Sequence, residues 1–208
     1  MNSGPEKFVL RTTLTSPFGF KARMAIDVLG LTDRVTVAHA DVTDDRDSLR
    51  QQNPLGKIPC LVRADGTSVF DSGVILEFLQ EAAGTDCLLP LSGPQRIPKF
   101  TLVRLIDGII DAGALIIYET RFHAPESQSQ GWLDYQRGKI SRALAALEVT
   151  TLDPHQTDAV AIGLACALEF LDRRKAVDWR AVCPQLVNWY AAFTAHEPAF
   201  ARTRPPAA

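Results

Sequence analysis

The first 84 residues alternate short apolar runs with stretches of helical periodicity. Four runs have the apolar and β-branched character of strands: KFVLRTTL, RVTVAHADV, IPCLVRADG and SVF. Three other stretches predict helices, namely the one after Ser16, the polar TDDRDSLRQQ, and SGVILEFLQEAAG. The pattern therefore predicts the element order β-α-β-α-β-β-α.

This order constrains how the strands pair. Two strands joined through a crossover helix run parallel, whereas a tight hairpin makes its two strands antiparallel. The Asp65-Gly66 pair in RADGTSVF is a typical hairpin turn. We therefore expect a mixed α/β sheet of the thioredoxin-like type in this part of the chain.

The pattern changes after GTDCLLPLSGP, a segment rich in Gly, Pro and Ser as linkers are. From Ser92 onward strand signals are absent and apolar residues recur at helical spacing. We expect a thioredoxin-like domain at 1–84, a linker at 85–91 and an all-helical bundle at 92–208.

One stretch of the helical part, DAVAIGLACALEFLD, contains ten successive residues without a polar side chain, 159–168. A run of this length is too short to cross a bilayer. It predicts a central helix buried on every side, with Asp158 or Thr157 as its N-cap.

Composition excludes several classes of function. The chain has 208 residues, 46% of them apolar, and a formal net charge of −2. A broad basic surface for nucleic acid or an anionic membrane is therefore not expected. No segment approaches the roughly 20 apolar residues of a membrane span, and the first residues do not form a signal sequence, so we expect a cytoplasmic protein. The cysteines and histidines lack metal-ligand spacing, and no metal site is expected.

The stretch TSPFGFKARMAIDVLG places Ser16 directly before the Pro that begins a predicted helix. Ser16 can act as the N-cap, with Pro17 in the first helical position. Alternatively, its hydroxyl can donate a hydrogen bond to an anion held at the positive end of the helix. The spacing alone leaves both interpretations open.

Three motifs in this order, TSPFGFKARMAIDVLG, NPLGKIPCLV and FDSGVILEFL, resemble the glutathione S-transferases, particularly bacterial cytosolic members. DGIIDAG, ACALEFLD and FARTRPP are similar to one bacterial branch of that family. The resemblance spans nearly the whole chain. It implies a thioredoxin-like N-terminal domain, an all-helical C-terminal bundle, glutathione as co-substrate and a homodimer.

The resemblance also implies a catalytic role for Ser16. A free thiol has a pKa of about 8.5, so little of it is thiolate at neutral pH. A hydroxyl bond to the sulfur, together with the helix dipole, would lower this pKa. Thr13 and Thr15 are alternative donors. Family members with Cys at this position tend toward reduction through a mixed disulfide, so Ser favours transfer of glutathione to an electrophile.

The other two motifs are expected to hold the glutathione backbone. By resemblance, the Ile58–Pro59 bond is cis and the Ile58 main chain pairs with glutathione as an added strand does. Lys57 would neutralise the glycyl carboxylate, although a solvated lysine explains it equally well. Asp71 would counter the ammonium of the γ-glutamyl group, and Ser72 would cap a helix that receives its carboxylate, although either residue could serve as a cap only.

A small hydrophobic electrophile is expected between the domains, with Phe18, Tyr118 and Phe122 as wall residues that could equally be core. The resulting hypothesis is a detoxifying glutathione transferase. The alternatives are a glutathione-dependent reductase, dehalogenase or isomerase on the same scaffold, and a non-catalytic glutathione-binding or interaction module.

Overall fold

The computed structural model describes residues 6–207. Its first seven elements follow the predicted order. They are β1 (Phe8–Thr12), α1 (Pro17–Val28), β2 (Val35–His39), α2 (Leu49–Gln52), β3 (Cys60–Arg63), β4 (Ser68–Val69) and α3 (Ser72–Ala83). The predicted α/β part is therefore confirmed, and its one clear difference is the length of α2.

Helix α2 is a single turn because the acidic residues before it form local turns instead. The carboxylates of Asp41, Asp44 and Asp47 each accept a hydrogen bond from the backbone N–H two residues further on. Such bonds offer the backbone an alternative to helix formation. Residues 43–48, which the pattern assigned to a helix, are consequently turns and bends.

The four strands form one sheet in the order β2-β1-β3-β4. Strand β1 pairs with β2 in parallel and with β3 antiparallel, and β4 returns antiparallel along β3. The turn between β3 and β4 contains Gly66 at φ +84, a conformation that glycine adopts without steric cost. The predicted parallel pair and hairpin are both confirmed.

Side chains alternate between the two faces of the sheet. On one face, Phe8 and Leu10 are buried, and the Phe8 ring meets Phe78 of α3 edge to face at 5.3 Å. On the other face, Cys60 is the cross-strand neighbour of Arg11. Ala40, Leu49 and Cys60 form a small buried cluster, against which Val42, Ile58, Val62 and Phe70 pack. We call the three buried residues Ala40, Leu49 and Cys60 the α2 cluster.

The second half of the chain is helical, as predicted. It contains α4 (Arg96–Phe122), a short 3-10 turn (Pro125–Ser127), α5 (Gln130–Glu148), α6 (Ala159–Arg174) and α7 (Pro184–His196), and α8 (Pro198–Thr203) follows. Every residue of α6 from Ala159 to Leu171 is buried, which confirms the predicted central helix. Asp158 is its N-cap and accepts from the N–H groups of Val160 and Ala161 at 3.0 Å.

The described chain divides into two compact units, residues 6–91 with 198–207, and residues 92–197. The prediction assigned everything from 92 to 208 to the helical domain, so the placement of the C-terminal segment is a correction. The Phe200 ring lies 5.4 Å from that of Phe20 in α1, and Arg202 forms an ion pair with Asp27. These contacts attach α8 to the first unit. Residues 1–5 and 208 of the predicted domains lie outside the described residues.

No helix within residues 6–207 combines the length and the apolarity that crossing a membrane requires. Within the same residues, no group of three or more His, Cys, Asp and Glu side chains is arranged to hold a metal ion.

Candidate functional site

Ser16 is the N-cap of α1. Its Oγ accepts a hydrogen bond from the Gly19 N–H at 3.1 Å, and Pro17 occupies the first helical turn. The capping interpretation of Ser16 is therefore confirmed. A hydroxyl that accepts one hydrogen bond still has its own hydrogen to donate. The cap thus leaves a donor beside the positive end of α1, and the two interpretations are compatible.

The start of α1 lies very close to the end of β1. A Cβ placed on Gly19 would lie 2.0 Å from Oγ1 of Thr12, a distance that no real side chain tolerates. Thr12 is itself buried, so it cannot easily move away. Sequence reasoning did not identify Gly19, whose role depends on this tertiary contact. Thr13 and Thr15 are the two alternatives to Ser16 as donor to the thiol. Thr13 is half-buried and Thr15 is exposed.

The loop before β3 is organised by Asn53, which is only 2% exposed. Its side-chain amide donates to the Lys57 carbonyl at 2.8 Å, and its Oδ1 accepts from the Leu55 N–H at 3.1 Å. The Ile58–Pro59 peptide bond that follows is cis, as predicted. The NPLGKIP motif is visible in the sequence, but this role of its Asn was not predicted.

Ile58 presents main-chain hydrogen-bonding groups at this loop. Among residues 6–207, neither its N–H nor its C=O forms a hydrogen bond. Its side chain is half-buried and packs against the α2 cluster, which fixes the orientation of the residue. Lys57, next to it, is exposed, and its ammonium forms no ion pair within the described part of the chain.

Cys60 lies just after the cis proline but is buried in the α2 cluster. Burial raises the pKa of its thiol above the ordinary value, because the thiolate would lose its hydration. Cys60 is therefore a core side chain and not a nucleophile at neutral pH.

The start of α3 differs by one residue from the prediction. Asp71, not Ser72, is the N-cap, and its carboxylate accepts from the Gly73 N–H at 2.7 Å. The predicted Ser72 cap is therefore wrong. Both residue types cap well, and here the Asp71 carboxylate is the group that reaches the Gly73 N–H. The Phe70–Asp71 peptide bond is also cis.

Ser72 has a different property that the sequence did not reveal. It is 3% exposed, and its Oγ has no hydrogen-bond partner among the described residues. A buried hydroxyl without a partner is unfavourable and is uncommon in folded proteins. Because this oxygen lies in the first turn of α3, where backbone N–H groups are also free, the position suits an anionic ligand oxygen.

The three predicted wall residues belong to different units. Phe18 is half-buried in α1, with the Lys21 ammonium 5.5 Å from its ring. Tyr118 and Phe122 lie one turn apart in α4, are 45% and 67% exposed, and have ring centroids 5.8 Å apart. Their common electrophile site stays a prediction. Two cavities of the helical unit, of about 340 and 720 Å³, are lined by none of the predicted site residues.

Comparison with known proteins decides which family these features belong to. The family model described as glutathione S-transferase, N-terminal domain, matches residues 15–82. The curated uncharacterized GST-like protein YibF of Escherichia coli K12 is 37% identical over 163 residues, which are 76% of this chain and 80% of that protein. The chain belongs to the glutathione S-transferase family. The part of this chain that the family model matches contains Ser16, the Lys57–Pro59 loop, Asp71 and Ser72.

Solved glutathione S-transferase structures agree with this assignment along nearly the full length. A glutathione transferase family member from Pseudomonas fluorescens Pf-5, crystallised with bound glutathione, is 38% identical with a TM-score of 0.90, covering 96% of this chain and 100% of that one. A glutathione S-transferase from Methylobacillus flagellatus with glutathione bound is 27% identical with a TM-score of 0.85, at the same coverage. The predicted family and fold class are confirmed.

Proposed function

We propose that this protein binds glutathione at its first unit and activates the thiol for attack on a small hydrophobic electrophile. The observation that carries the proposal is the pair of serines at two helix starts. Ser16 has a hydroxyl hydrogen to donate at the start of α1, and Ser72 has a buried hydroxyl without a protein partner at the start of α3. Membership of the family, and relatives crystallised with glutathione, support the same ligand.

The γ-glutamyl end of glutathione matches the start of α3. Its carboxylate accepts the Ser72 hydroxyl hydrogen and backbone N–H groups of the first helical turn. Its ammonium lies beside Asp71, whose carboxylate also caps the helix. A negative side chain and an anion-accepting helix start are adjacent there, as the two opposite charges on one carbon of the ligand require.

The middle and the glycyl end of glutathione match the loop before β3. The Ile58 N–H and C=O pair with the ligand main chain, as in the addition of a strand to a sheet. The exposed Lys57 ammonium neutralises the glycyl carboxylate. Pro59 completes this loop and leads directly into β3.

These anchors direct the thiol toward Ser16. Each unit by which the thiol pKa falls corresponds to about 1.36 kcal/mol of preferential stabilisation of the thiolate. A hydrogen bond to a charged group supplies about 1.5 to 3 kcal/mol, so one serine hydroxyl suffices for a shift of one to two units. No general base is needed.

Several further properties belong to the same proposal. The electrophile contacts Phe18, Tyr118 and Phe122, the protein is a cytoplasmic homodimer, and its role is detoxification. The nature of residue 16 argues against the reductase alternative, because serine cannot form a mixed disulfide with glutathione.

A panel of activities tests the proposal. Wild-type protein is expected to conjugate glutathione to an aryl halide and to show little disulfide exchange. Ser16→Gly is the informative variant, since glycine at an N-cap costs only a few tenths of a kcal/mol while the hydroxyl is lost. Conjugation at neutral pH should fall by at least about tenfold in this variant, the loss that one pKa unit of thiol activation corresponds to.

Thr15→Ala tests one alternative donor, because Thr15 is an exposed neighbour that does not cap α1. Its activity should remain within about twofold of the wild type, as for surface substitutions generally. Glutathione binding without turnover on any electrophile would support the binding-module alternative. Equal activity of Ser16→Gly and wild type would remove Ser16 from the mechanism.

A further inference from the structure

Arg11 lies on β1, far along the chain from the segment that its side chain contacts. Its guanidinium donates to Asp47 Oδ1 at 2.6 Å, to Ser48 Oγ at 2.9 Å and to Gln52 Oε1 at 3.1 Å. The side chains of Arg11 and Asp47 are only 13% and 14% exposed. One largely buried cation therefore joins the centre of the sheet to both ends of α2.

Asp47 extends this connection on the α2 side. Besides the Arg11 guanidinium, its carboxylate accepts from the Leu49 N–H at 2.7 Å and from the Asp41 N–H at 2.8 Å. It thus links the chain after β2, the start of α2 and the sheet through one side chain. Hydrogen bonds to charged groups are about twice as strong as neutral ones, so this link is a firm one.

The segment that Arg11 holds is the one that positions the candidate glutathione loop. Leu49 of α2 is fully buried in the α2 cluster, and Ile58 packs against the same cluster. Directly after α2, Asn53 donates to the Lys57 carbonyl. Displacement of α2 would therefore move both the packing surface under Ile58 and the amide that holds Lys57.

Few apolar contacts are available to hold α2 without this cation. The helix has four residues, and Leu49 is its only buried one. An isolated turn of this length has no stability of its own, so its position must come from tertiary contacts. Arg11 bonds both to Ser48, the residue just before this helix, and to its last residue, Gln52.

We propose that Arg11 is a positioning residue for glutathione, which fixes Lys57 and Ile58 in their binding geometry by holding α2 against the sheet. The proposal rests on the proposed function, since it concerns the affinity for glutathione. Among residues 6–207, Arg11 forms no hydrogen bond with Ser16 or Ser72. The expected effect is therefore on binding of the ligand main chain and not on activation of the thiol.

Arg11→Met tests this role, because methionine retains an apolar stem and removes the cation. The glutathione Kd from calorimetry and the KM for glutathione should rise about tenfold, which corresponds to about 1.4 kcal/mol of binding free energy. The kcat at saturating glutathione should stay within about twofold, because losing an interaction that is equally strong in the ground state and the transition state raises KM alone. Arg11→Lys should recover part of the affinity, as it restores the charge but not the three-way bridge.

A second readout does not depend on glutathione. In Arg11→Met without ligand, amide hydrogen exchange should accelerate at Leu55 and Gly56, whose N–H groups bond to Asn53. Exchange in α6 should be unchanged. Arg63→Met is the control, since Arg63 also lies in the sheet and pairs with a carboxylate, Glu6, but its guanidinium forms no hydrogen bond or ion pair with α2 among the described residues.

The outcomes separate the two proposals. If wild-type protein does not bind glutathione, the proposed function and the role of Arg11 both fail. If wild type binds but Arg11→Met and Arg63→Met have the same Kd as wild type, only the positioning role fails. Equal loss of affinity in both variants, or a fall in kcat with unchanged KM, also contradicts the positioning role.

Discussion

The buried hydroxyl of Ser72 gives the most discriminating prediction, because its removal should affect stability and binding in opposite directions. In the free protein Oγ is buried without a partner. An unsatisfied buried polar group costs about 1 to 3 kcal/mol, so Ser72→Ala should leave the unliganded protein as stable as the wild type or about 1 kcal/mol more stable. Alanine also favours the helix interior slightly more than serine does.

The affinity for glutathione, in contrast, should fall in Ser72→Ala. With ligand present, the hydroxyl donates to a carboxylate, and such a bond is worth about 1.5 to 3 kcal/mol. Since about 1.4 kcal/mol is a tenfold change, the Kd of Ser72→Ala should rise by roughly 10- to 150-fold. Urea denaturation without ligand measures the first effect, and calorimetric titration with glutathione measures the second.

Ser129→Ala provides the control. Ser129 is an exposed N-cap of α5 in the other unit and accepts from the Trp132 N–H at 3.3 Å. Its removal should lower stability by about 0.5 to 2 kcal/mol, as for other lost caps, and leave the Kd unchanged. A marked loss of stability in unliganded Ser72→Ala would contradict this prediction, because it would mean that the protein itself satisfies this hydroxyl. Unchanged glutathione affinity would remove Ser72 from the ligand site.

Three further predictions concern the framework around the site. Gly19→Ala should lower the free energy of unfolding by about 1 to 3 kcal/mol, because the new Cβ would collide with Thr12. Gly108 has open space around it, so Gly108→Ala should raise the free energy of unfolding by about 0.5 to 1 kcal/mol. Phe200→Ala should lower it by about 3 to 5 kcal/mol by removing a buried ring from α8, as measured by urea denaturation. The pKa of Asp47 is lowered by hydrogen bonds from the Asp41 and Leu49 N–H groups and from Arg11. The stability that this carboxylate contributes is therefore present above the ordinary pKa of about 3.9 and is lost as pH falls below that value. Wild type should therefore lose more stability than Asp47→Asn between pH 6 and acidic pH, in urea titrations at each pH.

Each of these predictions has a contradicting result. Equal unfolding midpoints for Gly19→Ala and Gly108→Ala would show that the first turn of α1 is free to move away from β1. A small effect of Phe200→Ala would mean that α8 contributes little to the first unit. Parallel pH profiles for wild type and Asp47→Asn would show that this carboxylate is equally stabilised in the unfolded chain.

Local patterns were sufficient for much of the fold. The hairpin at Asp65-Gly66 and the central helix α6 follow from adjacent residues and from an uninterrupted apolar run, so the sequence predicted both. Helix α2 was predicted too long, since aspartates before it bond to nearby N–H groups. The attachment of α8 to the first unit depends on contacts with residues about 175 positions away, which no local pattern contains.

In the candidate site, too, features marked by local motifs were predicted, and features set by backbone geometry or distant contacts were not. The motifs around Ser16, Ile58 and Ser72 were found because family resemblance marks them. Capping of α3 by Asp71 and not by Ser72 was missed, since both are favourable N-caps and only the backbone geometry distinguishes them. The contribution of Arg11 was missed because its partners lie 36 to 41 residues away.

Thiol activation is tested most directly by titrating the thiol of glutathione bound to this protein, followed by the ultraviolet absorbance of the thiolate. We expect an apparent pKa one to two units below the value of about 8.5 for a free thiol, and a return toward that value in Ser16→Gly at saturating glutathione. A bound thiol that titrates like free glutathione in the wild type would contradict the claim that this protein activates glutathione.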